Sequence, residues 1–222
     1  MSKMIKNVTC GIRNFSKFFW AFVSKPGVTG AIAPSSEGLS KTMVDWIEWD
    51  QVNAIVEYGP GTGVFTKHIL RKIEEAGNNA SYFAIELNGS LVRQLRKEFP
   101  NVSIYEDSVE NVAELCKKEG IEQVDAIISG LPWAVFPKEL QDSLMSATLS
   151  VLKPGGQFAT FAYLHGVPLP AGKRFKYWLA NNFQSVGLSK VVWMNVPPAF
   201  VYQCRTPSAH LPEKTATSQD PQ

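Results

Sequence analysis

Apolar runs of strand length alternate with amphipathic segments of helix length along most of the 222 residues. This alternation predicts a parallel sheet covered by helices on both faces, because parallel neighbours must be joined by crossover connections. Strands are predicted at 53–58, 81–85, 102–105, 124–128, 157–163, 186–194 and 200–205. A short link through Pro197-Pro198 joins the last two strands, which favours an antiparallel pair.

The composition supports one main domain with an appendage at each end. Apolar residues make up 45% of the chain, which suffices for one buried core. We expect an N-terminal arm over 1–33, a domain over 34–205 and a disordered tail over 206–222, where Pro, Thr, Ser and Gln dominate. The first 36 residues carry five basic side chains and no acid, so the rest of this +2 chain is net negative. Such local basic charge argues against a protein that binds nucleic acid over its whole surface.

The cysteines and the N-terminal sequence indicate the cellular compartment in which the protein resides. Cys10, Cys116 and Cys204 are far apart and lack the paired spacing of zinc ligands, so we predict no metal and a reducing environment. The longest unbroken apolar run of the arm, 18–23, is too short for a signal core or a membrane span. Ser2 excludes N-myristoylation. These features predict a cytoplasmic protein.

The arm has the pattern of a basic amphipathic helix. Its apolar residues recur at intervals of three and four from Val8 to Phe22, which places them on one helical face, and Lys and Arg fill much of the rest. This pattern predicts a helix that lies on the anionic inner face of the cell membrane. The alternative is a lid helix over the active site, and both roles can coexist. The residues predicted to contact the membrane are Arg13, Phe15, Lys17, Phe18, Phe19, Trp20 and Phe22.

A glycine-rich turn, Gly59-Pro60-Gly61-Thr62-Gly63, follows the first strand and precedes a helix that begins near Val64. Bare backbone at this switch point of the sheet lets a ligand approach the main chain. Dinucleotide enzymes use a similar turn, but their third glycine would fall at Val64, and the carboxylate of Glu57 would repel a pyrophosphate. The same carboxylate would attract the cationic amino group of S-adenosylmethionine.

Two further polar positions follow neighbouring strands. Glu86 ends the second strand about 20 residues after the glycines, where a carboxylate can accept both ribose hydroxyls. Asp107-Ser108 follows the third strand, where side-chain or backbone groups can meet the edge of an adenine. The alternative for Asp107 is a helix N-cap, which Asp favours, and Glu86 can simply be a neighbour of an N-cap.

Together these residues resemble the class I methyltransferases, and the resemblance covers nearly the whole domain. It implies a Rossmann-like α/β fold with a seven-stranded, mostly parallel sheet, helices on both faces and an antiparallel last strand. It also implies S-adenosylmethionine as the cofactor. The implied cofactor-binding residues are Glu57, Gly59, Gly61, Gly63, Glu86, Asp107 and Ser129.

The loop after the fourth strand, Ser129-Gly130-Leu131-Pro132-Trp133, is where class I enzymes place the methyl acceptor. It resembles the Asn-Leu-Pro-Tyr loop of adenine N6-methyltransferases, including the ribosomal RNA dimethyltransferases. Here Ser129 replaces the Asn and Gly130 is inserted, so the amide that would hold an adenine amino group is absent. Those enzymes also carry a further helical domain, whereas only a short polar stretch follows Arg205.

A second resemblance, to the soluble bacterial phospholipid N-methyltransferases, rests on segments 30–36, 57–66, 129–132 and 196–201. It implies stepwise methylation of phosphatidylethanolamine towards phosphatidylcholine, and related members act on ornithine lipids. The segment 133–136 departs from the aliphatic residues expected after Pro132. A non-catalytic membrane protein that binds the cofactor is a further alternative. The implied substrate-binding residues are Ser35, Ser36, Gly130, Leu131, Pro132 and Trp133.

A lipid amine must lose a proton before it can be methylated. Tyr163 and His165 follow the fifth strand and are the predicted catalytic residues, with packing or surface positions as the alternative. The methylated products are bulky ammonium groups that aromatic ring faces can bind, although core packing explains such residues equally well. The rings considered for this role are Trp133, Phe136, Tyr163 and Phe200.

Overall fold

The computed structural model describes residues 36–208, so the predicted arm, Ser35 and residues 209–222 lie outside the described residues. A single seven-stranded sheet runs in the order β3-β2-β1-β4-β5-β7-β6. Strands β1 to β5 are parallel, and β7 is antiparallel to both β5 and β6. The strands are β1 (Ala54–Tyr58), β2 (Ser81–Glu86), β3 (Ser103–Glu106), β4 (Val124–Ser129), β5 (Leu152–Tyr163), β6 (Ser185–Leu188) and β7 (Ala199–Arg205). This topology confirms the predicted Rossmann-like methyltransferase fold.

Helices cover both faces of the sheet. One face packs against α1 and α2, and the other packs against α4, α5 and α6. Helix α3 packs on the outer strands β2 and β3. The bounds are α1 (Glu37–Val44), α2 (Val64–Ala76), α3 (Gly89–Glu98), α4 (Val112–Lys118), α5 (Lys138–Val151) and α6 (Pro170–Asn182). No helix within residues 36–208 is both long enough and apolar enough to cross a bilayer.

The central strand β1 is buried along its whole length, as a strand covered on both faces must be. Val56 and Tyr58 point into the core beneath α4 to α6, whereas Ile55 points into the core beneath α1 and α2. Side chains alternate along a strand, so Glu57 lies on the same face as Ile55. A carboxylate thereby enters an otherwise apolar layer.

Two predicted boundaries differ from the structure. The predicted strand at 186–194 ends at Leu188, because residues 189–198 form a loop closed by the bridge between Val192 and Ala199. The predicted tail begins at 206, yet Thr206 is buried and its hydroxyl donates a hydrogen bond to the carbonyl of Lys153 (2.6 Å). The folded body therefore extends past the predicted end of the domain.

Asp125 joins three strands at the amino-terminal edge of the sheet. Its Oδ2 accepts hydrogen bonds from the backbone N–H groups of Asn53 and Ala54, both 2.9 Å, and its Oδ1 lies 2.7 Å from the ammonium of Lys153. We expect Asp125→Ala to lower the free energy of unfolding by about 2–3 kcal/mol, because hydrogen bonds to a charged group are lost together. Urea denaturation measures this loss. Asp50→Ala, at an exposed position, serves as the control and should change stability by less than about 0.5 kcal/mol.

Candidate active site: a donor turn beside an acceptor loop

The glycine turn has the backbone conformation that its sequence requires. Gly59, Gly61 and Gly63 have positive φ angles of 63°, 60° and 84°, a region that side chains other than hydrogen disfavour. Gly63 also serves packing, because a Cβ placed there would lie 2.7 Å from the ring of Phe99 and 2.9 Å from Leu95. The turn therefore presents bare backbone at the carboxyl end of β1, directly before α2.

Glu57 is fully buried beneath this turn. Its Oε2 accepts hydrogen bonds from the hydroxyls of Thr66 (2.7 Å) and Tyr82. Its Oε1 is also buried and has no hydrogen-bond partner among residues 36–208. Burial raises the pKa of Glu57 to about 7; its hydrogen bonds oppose this rise, and the nearby Glu86 carboxylate adds to it. An unpartnered carboxylate oxygen in a buried site fits a cationic ligand group.

Glu86 lies at the carboxyl end of β2 and is 2% exposed. Its two oxygens accept hydrogen bonds from the backbone N–H groups of Gly61 (3.2 Å) and Asn88 (2.8 Å). Burial raises its pKa to about 7 in spite of these bonds. An ionised carboxylate has about four lone-pair sites, so Glu86 retains the capacity to accept two ribose hydroxyls.

Asp107 follows β3 and belongs to the same edge of the sheet. Its Oδ1 accepts hydrogen bonds from the N–H of Ser108 and from the amide of Asn111, both 2.7 Å, and its own N–H donates to the carbonyl of Glu86 (3.2 Å). The hydroxyl of Ser108, and not Asp107, caps the short helical turn Val109–Asn111. Asp107 thus fixes the polar loop beside Glu86.

The acceptor loop passes directly over the glycine turn. The N–H of Gly130 donates to the carbonyl of Tyr58 (2.7 Å), and a Cβ on Gly130 would lie 2.6 Å from the carbonyl oxygen of Gly59. In return, a Cβ on Gly59 would lie 2.9 Å from the side chain of Leu131. The inserted glycine therefore permits backbone contact between the two loops. Leu131 and Pro132 are half-buried at this junction.

Ser129 and Trp133 shape the acceptor loop from inside the protein. Ser129 is fully buried, and its Oγ accepts hydrogen bonds from the indole N–H of Trp133 (3.0 Å) and the N–H of Leu131 (3.3 Å). Trp133 is 1% exposed, and its ring stacks on Phe175 at 5.0 Å. Both side chains make internal contacts, so their predicted ligand contacts stay predictions and would involve other atoms of the loop. The rings of Phe136 and Phe200 are also largely buried, each 7% exposed.

Tyr163 and His165 lie together at the carboxyl end of β5. Their rings stack with centroids 5.6 Å apart and planes 9° apart. Burial raises the pKa of Tyr163 to about 12, so its phenol keeps its proton near neutral pH. The predicted catalytic role of Tyr163 stays a prediction, which a phenol that keeps its proton would fill as a hydrogen-bond donor. His165 is exposed to solvent.

Ser36 has a structural role at the start of the described chain. Its Oγ accepts a hydrogen bond from the N–H of Leu39 (3.2 Å), which makes it the N-cap of α1. Its own N–H donates to Oδ1 of Asn195 (2.9 Å) in the loop between β6 and β7. The side chain predicted to contact substrate therefore caps a helix, and the backbone ties that helix to the active-site edge of the sheet.

Two residues that sequence analysis did not place in the site, Thr66 and Tyr82, hold the carboxylate of Glu57. Thr66 lies three residues after the last glycine of the turn, a spacing that returns its hydroxyl to the strand end. Tyr82 is paired with Ile55 in the sheet, so it shares a face with Glu57. Within residues 36–208, no three His, Cys, Asp or Glu side chains are grouped as metal ligands.

Comparisons with known proteins agree with this geometry. A family described as a methyltransferase domain matches residues 55–156. An ornithine lipid N-methyltransferase of Singulisphaera acidiphila is 31% identical over 201 residues, which cover 87% of this chain and 97% of that protein. The N-methyltransferase NodS of Bradyrhizobium japonicum in complex with S-adenosyl-L-homocysteine superposes with a TM-score of 0.57 at 11% identity, over 77% of this chain and 85% of that one. An O-methyltransferase of Bacillus cereus superposes with a TM-score of 0.61 at 12% identity, over 78% and 83%.

The fold and the residues of the donor turn define a class I methyltransferase that uses S-adenosylmethionine. Within that class, the chain belongs to the same family as the ornithine lipid N-methyltransferase of Singulisphaera acidiphila. The site fits the cofactor, since Glu57 offers an unpartnered buried oxygen to its amino group and Glu86 offers acceptors to its ribose.

The raised pKa values predict a pH dependence of cofactor binding. Cations and hydroxyl donors bind the ionised carboxylates, so binding lowers the pKa of Glu57 and Glu86 from about 7. Affinity should therefore rise as pH increases through 7, and binding below that pH should release protons, with up to about tenfold in affinity per pH unit for each group. Calorimetric titration in buffers of different ionisation enthalpy measures both effects. The variant Glu86→Gln should lose part of the dependence, and an unchanged proton release would contradict the assignment.

The contact between the loops predicts the effect of one methyl group. In Gly130→Ala the new Cβ would meet the backbone oxygen of Gly59 at 2.6 Å, and backbone cannot move aside as a flexible side chain can. We expect cofactor affinity and turnover each to fall by about tenfold or more, equivalent to about 1.4 kcal/mol, in a protein that stays folded. Gly187→Ala is the matched control, because its Cβ would make only ordinary contacts, the nearest at 3.5 Å. Equal behaviour of the two variants would refute this role.

Proposed function

We propose that this methyltransferase acts on the amine of a membrane lipid, with an ornithine lipid as the first candidate. The observation that carries the proposal is the 31% identity, over nearly the full length of both chains, to an ornithine lipid N-methyltransferase. The acceptor loop supports it, since Ser129 stands where adenine methyltransferases have an amide and its Oγ accepts bonds inside the loop. The lipid is reached at an anionic membrane surface, to which the basic arm binds.

When bound, S-adenosylmethionine supplies an electrophilic methyl group on a sulfonium. The acceptor would be the neutral lipid amine, which must lose one proton before it can take this methyl group and become a methylammonium. The residues of this chain must align that amine and exclude water. The junction of Gly59, Gly130 and Leu131 supports the second need, because the apolar side chain of Leu131 lies against the glycine turn.

Deprotonation of the acceptor is the main energetic demand on the protein. A primary alkylammonium has a pKa near that of Lys, so its neutral form costs about 4.6 kcal/mol at pH 7. An apolar surrounding lowers this cost by disfavouring the charged form. His165 is the remaining candidate to receive the proton, and the hydroxyl of Tyr163 beside it can orient the amine as a hydrogen-bond donor.

Phosphatidylethanolamine is the second candidate. It is favoured by the resemblance of segments 57–66, 129–132 and 196–201 to phospholipid N-methyltransferases. Both candidates present a primary amine at a membrane surface, so the chemistry of the site accommodates either. The two differ in the groups that surround the amine, which a direct competition between them can resolve.

A methylation assay with labelled donor tests the proposal. Purified full-length protein is offered vesicles that contain ornithine lipid or phosphatidylethanolamine, with ribosomal RNA and free ornithine as competing acceptors. We expect label in the lipid fraction, with ornithine lipid preferred, and little label in RNA or free amine. Glu86→Gln should lower lipid methylation in parallel with cofactor affinity, because it removes a charged ribose acceptor.

Two outcomes would overturn the proposal. Preferential labelling of RNA would indicate a nucleic-acid methyltransferase, and cofactor binding without labelling of any acceptor would indicate a non-catalytic binding protein. A preference for phosphatidylethanolamine over ornithine lipid would retain the lipid amine and change only the headgroup.

A further inference from the structure

The loop between β6 and β7 displays large apolar side chains to solvent. Trp193, Met194 and Val196 are 70%, 88% and 61% exposed, although soluble surfaces seldom present three such residues within four positions. Leu188, at the end of β6 and 57% exposed, continues the patch at the base of the loop. We call these four residues the apolar loop patch.

The loop that carries this patch is rigidly held. The bridge between Val192 and Ala199 closes it at the base. At its centre Asn195 is buried; its Nδ2 donates to the carbonyl of Pro197 (2.7 Å) and its Oδ1 accepts from Ser36. Because the side chain of Asn195 points inward, the adjacent side chains of Met194 and Val196 point outward. Their exposure is therefore a property of a fixed loop.

The patch lies at the edge of the sheet that carries the active site. Strand β6 runs in the same direction as β5, because both are antiparallel to β7. The loop after β6 thus emerges beside the loop after β5, and the N–H of Leu164 donates to the carbonyl of Pro198 (3.0 Å) across them. A shallow apolar cavity of about 500 Å³ lies between the loop after β5, α6 and the strands β6 and β7, lined in part by Leu164, Leu188 and Phe200.

The chain segment that carries the patch is basic, although the neighbouring helix α1 places one exposed acid, Glu37, next to Ser36. No acidic residue occurs between Asp142 and Glu213, a stretch that contains six Lys and Arg residues. Three of these six, Lys173, Lys176 and Lys190, are exposed and form no ion pair within residues 36–208. Lys173 and Lys176 line the cavity beside the patch. Exposed aromatic and aliphatic residues with lysines nearby match the chemistry of an anionic lipid surface.

The basic arm joins the body at the same loop. The first described residue, Ser36, is hydrogen-bonded to Asn195, and the 35 residues before it carry five basic side chains and no acid. Whatever path the arm takes, its connection lies beside the apolar loop patch. The basic arm therefore joins the body near the lysines beside the apolar loop patch, at the active-site edge of the sheet.

We propose that the apolar loop patch inserts into the headgroup layer of an anionic bilayer, with Lys173, Lys176 and Lys190 contacting its phosphates. This contact is separate from the arm and orients the active-site edge towards the membrane. The proposal rests on the proposed function for its purpose, since a lipid amine must reach the loop junction at Gly130. It requires neither a particular headgroup nor a particular number of methyl transfers.

Vesicle flotation with the full-length protein tests the contact. The vesicles contain phosphatidylcholine with or without phosphatidylglycerol. We expect the variant Trp193→Ser/Met194→Ser to need about tenfold more anionic lipid for half-maximal binding, because it removes two large apolar side chains that the membrane would bury. Lys176→Glu/Lys190→Glu should weaken binding by a similar factor and reduce its sensitivity to salt. Lys97→Glu/Lys117→Glu is the control, with the same charge change at exposed positions of α3 and α4.

A spectroscopic measurement locates the inserted residue. Brominated acyl chains quench tryptophan fluorescence at short range, so Trp193→Phe should show less quenching than the unaltered protein, with cofactor affinity unchanged. Equal binding of the loop variant and the control variant, or equal quenching with and without Trp193, would overturn the proposal. Loss of self-association in the loop variant without loss of vesicle binding would instead assign the patch to a second copy of the chain.

The failure of this contact and the failure of the proposed function are distinguishable. If the loop variant binds vesicles normally and methylates lipid normally, the contact is refuted and the lipid substrate stands. If the protein binds vesicles through the loop and methylates no lipid, the contact stands and the substrate is refuted.

Discussion

The close approach of two backbones organises this active site. A loop can cross the glycine turn at hydrogen-bonding distance only where neither strand end carries a side chain at the crossing, and Gly59 and Gly130 satisfy that condition. The contact places the end of β4 against the end of β1, so the predicted donor turn and the predicted acceptor loop share one junction. The contacts of Ser129, Trp133 and Gln141 behind the loop maintain this approach, because they fix the loop from the core side.

The donor site buries two carboxylates, a position that is unfavourable for their charged form in the absence of a ligand. Burial raises the pKa of both Glu57 and Glu86 to about 7, above the ordinary value for a glutamate. A carboxyl whose pKa is raised on folding contributes stability at low pH that is lost as pH rises through the folded pKa. Near neutral pH the free enzyme therefore bears part of the cost of ionising these groups. A cationic ligand offsets that cost, so binding should stabilise the fold as well as prepare it for reaction.

The sequence predicted the sheet and the donor turn because both depend on local patterns. Both can be read from nearby residues without knowledge of distant contacts. These are the alternation of strands with helices, the three glycines of the turn and the acid at each of two strand ends. The acceptor residues were harder to predict, because the roles of Ser129 and Trp133 depend on partners such as Phe175, which lies more than forty positions away. Tyr82 was missed for the same reason, since its face relative to Glu57 follows from the register of β1 and β2. The strand predicted at 186–194 ended early because the buried amide of Asn195 closes a loop that an apolar run does not reveal.

The described chain enters and leaves its body at opposite edges of the sheet. It enters at Ser36, beside the loop that follows β6, and it leaves beyond Pro207, whose carbonyl accepts a hydrogen bond from Gly155 at the start of β5. A reporter protein fused directly after Pro207 would lie on the side away from the catalytic edge. One fused directly before Ser36 would lie next to that edge and could block access to it. Joining the two points into a circular chain would require a linker that runs along the regular part of β5, about 23 Å for the seven residues 157–163.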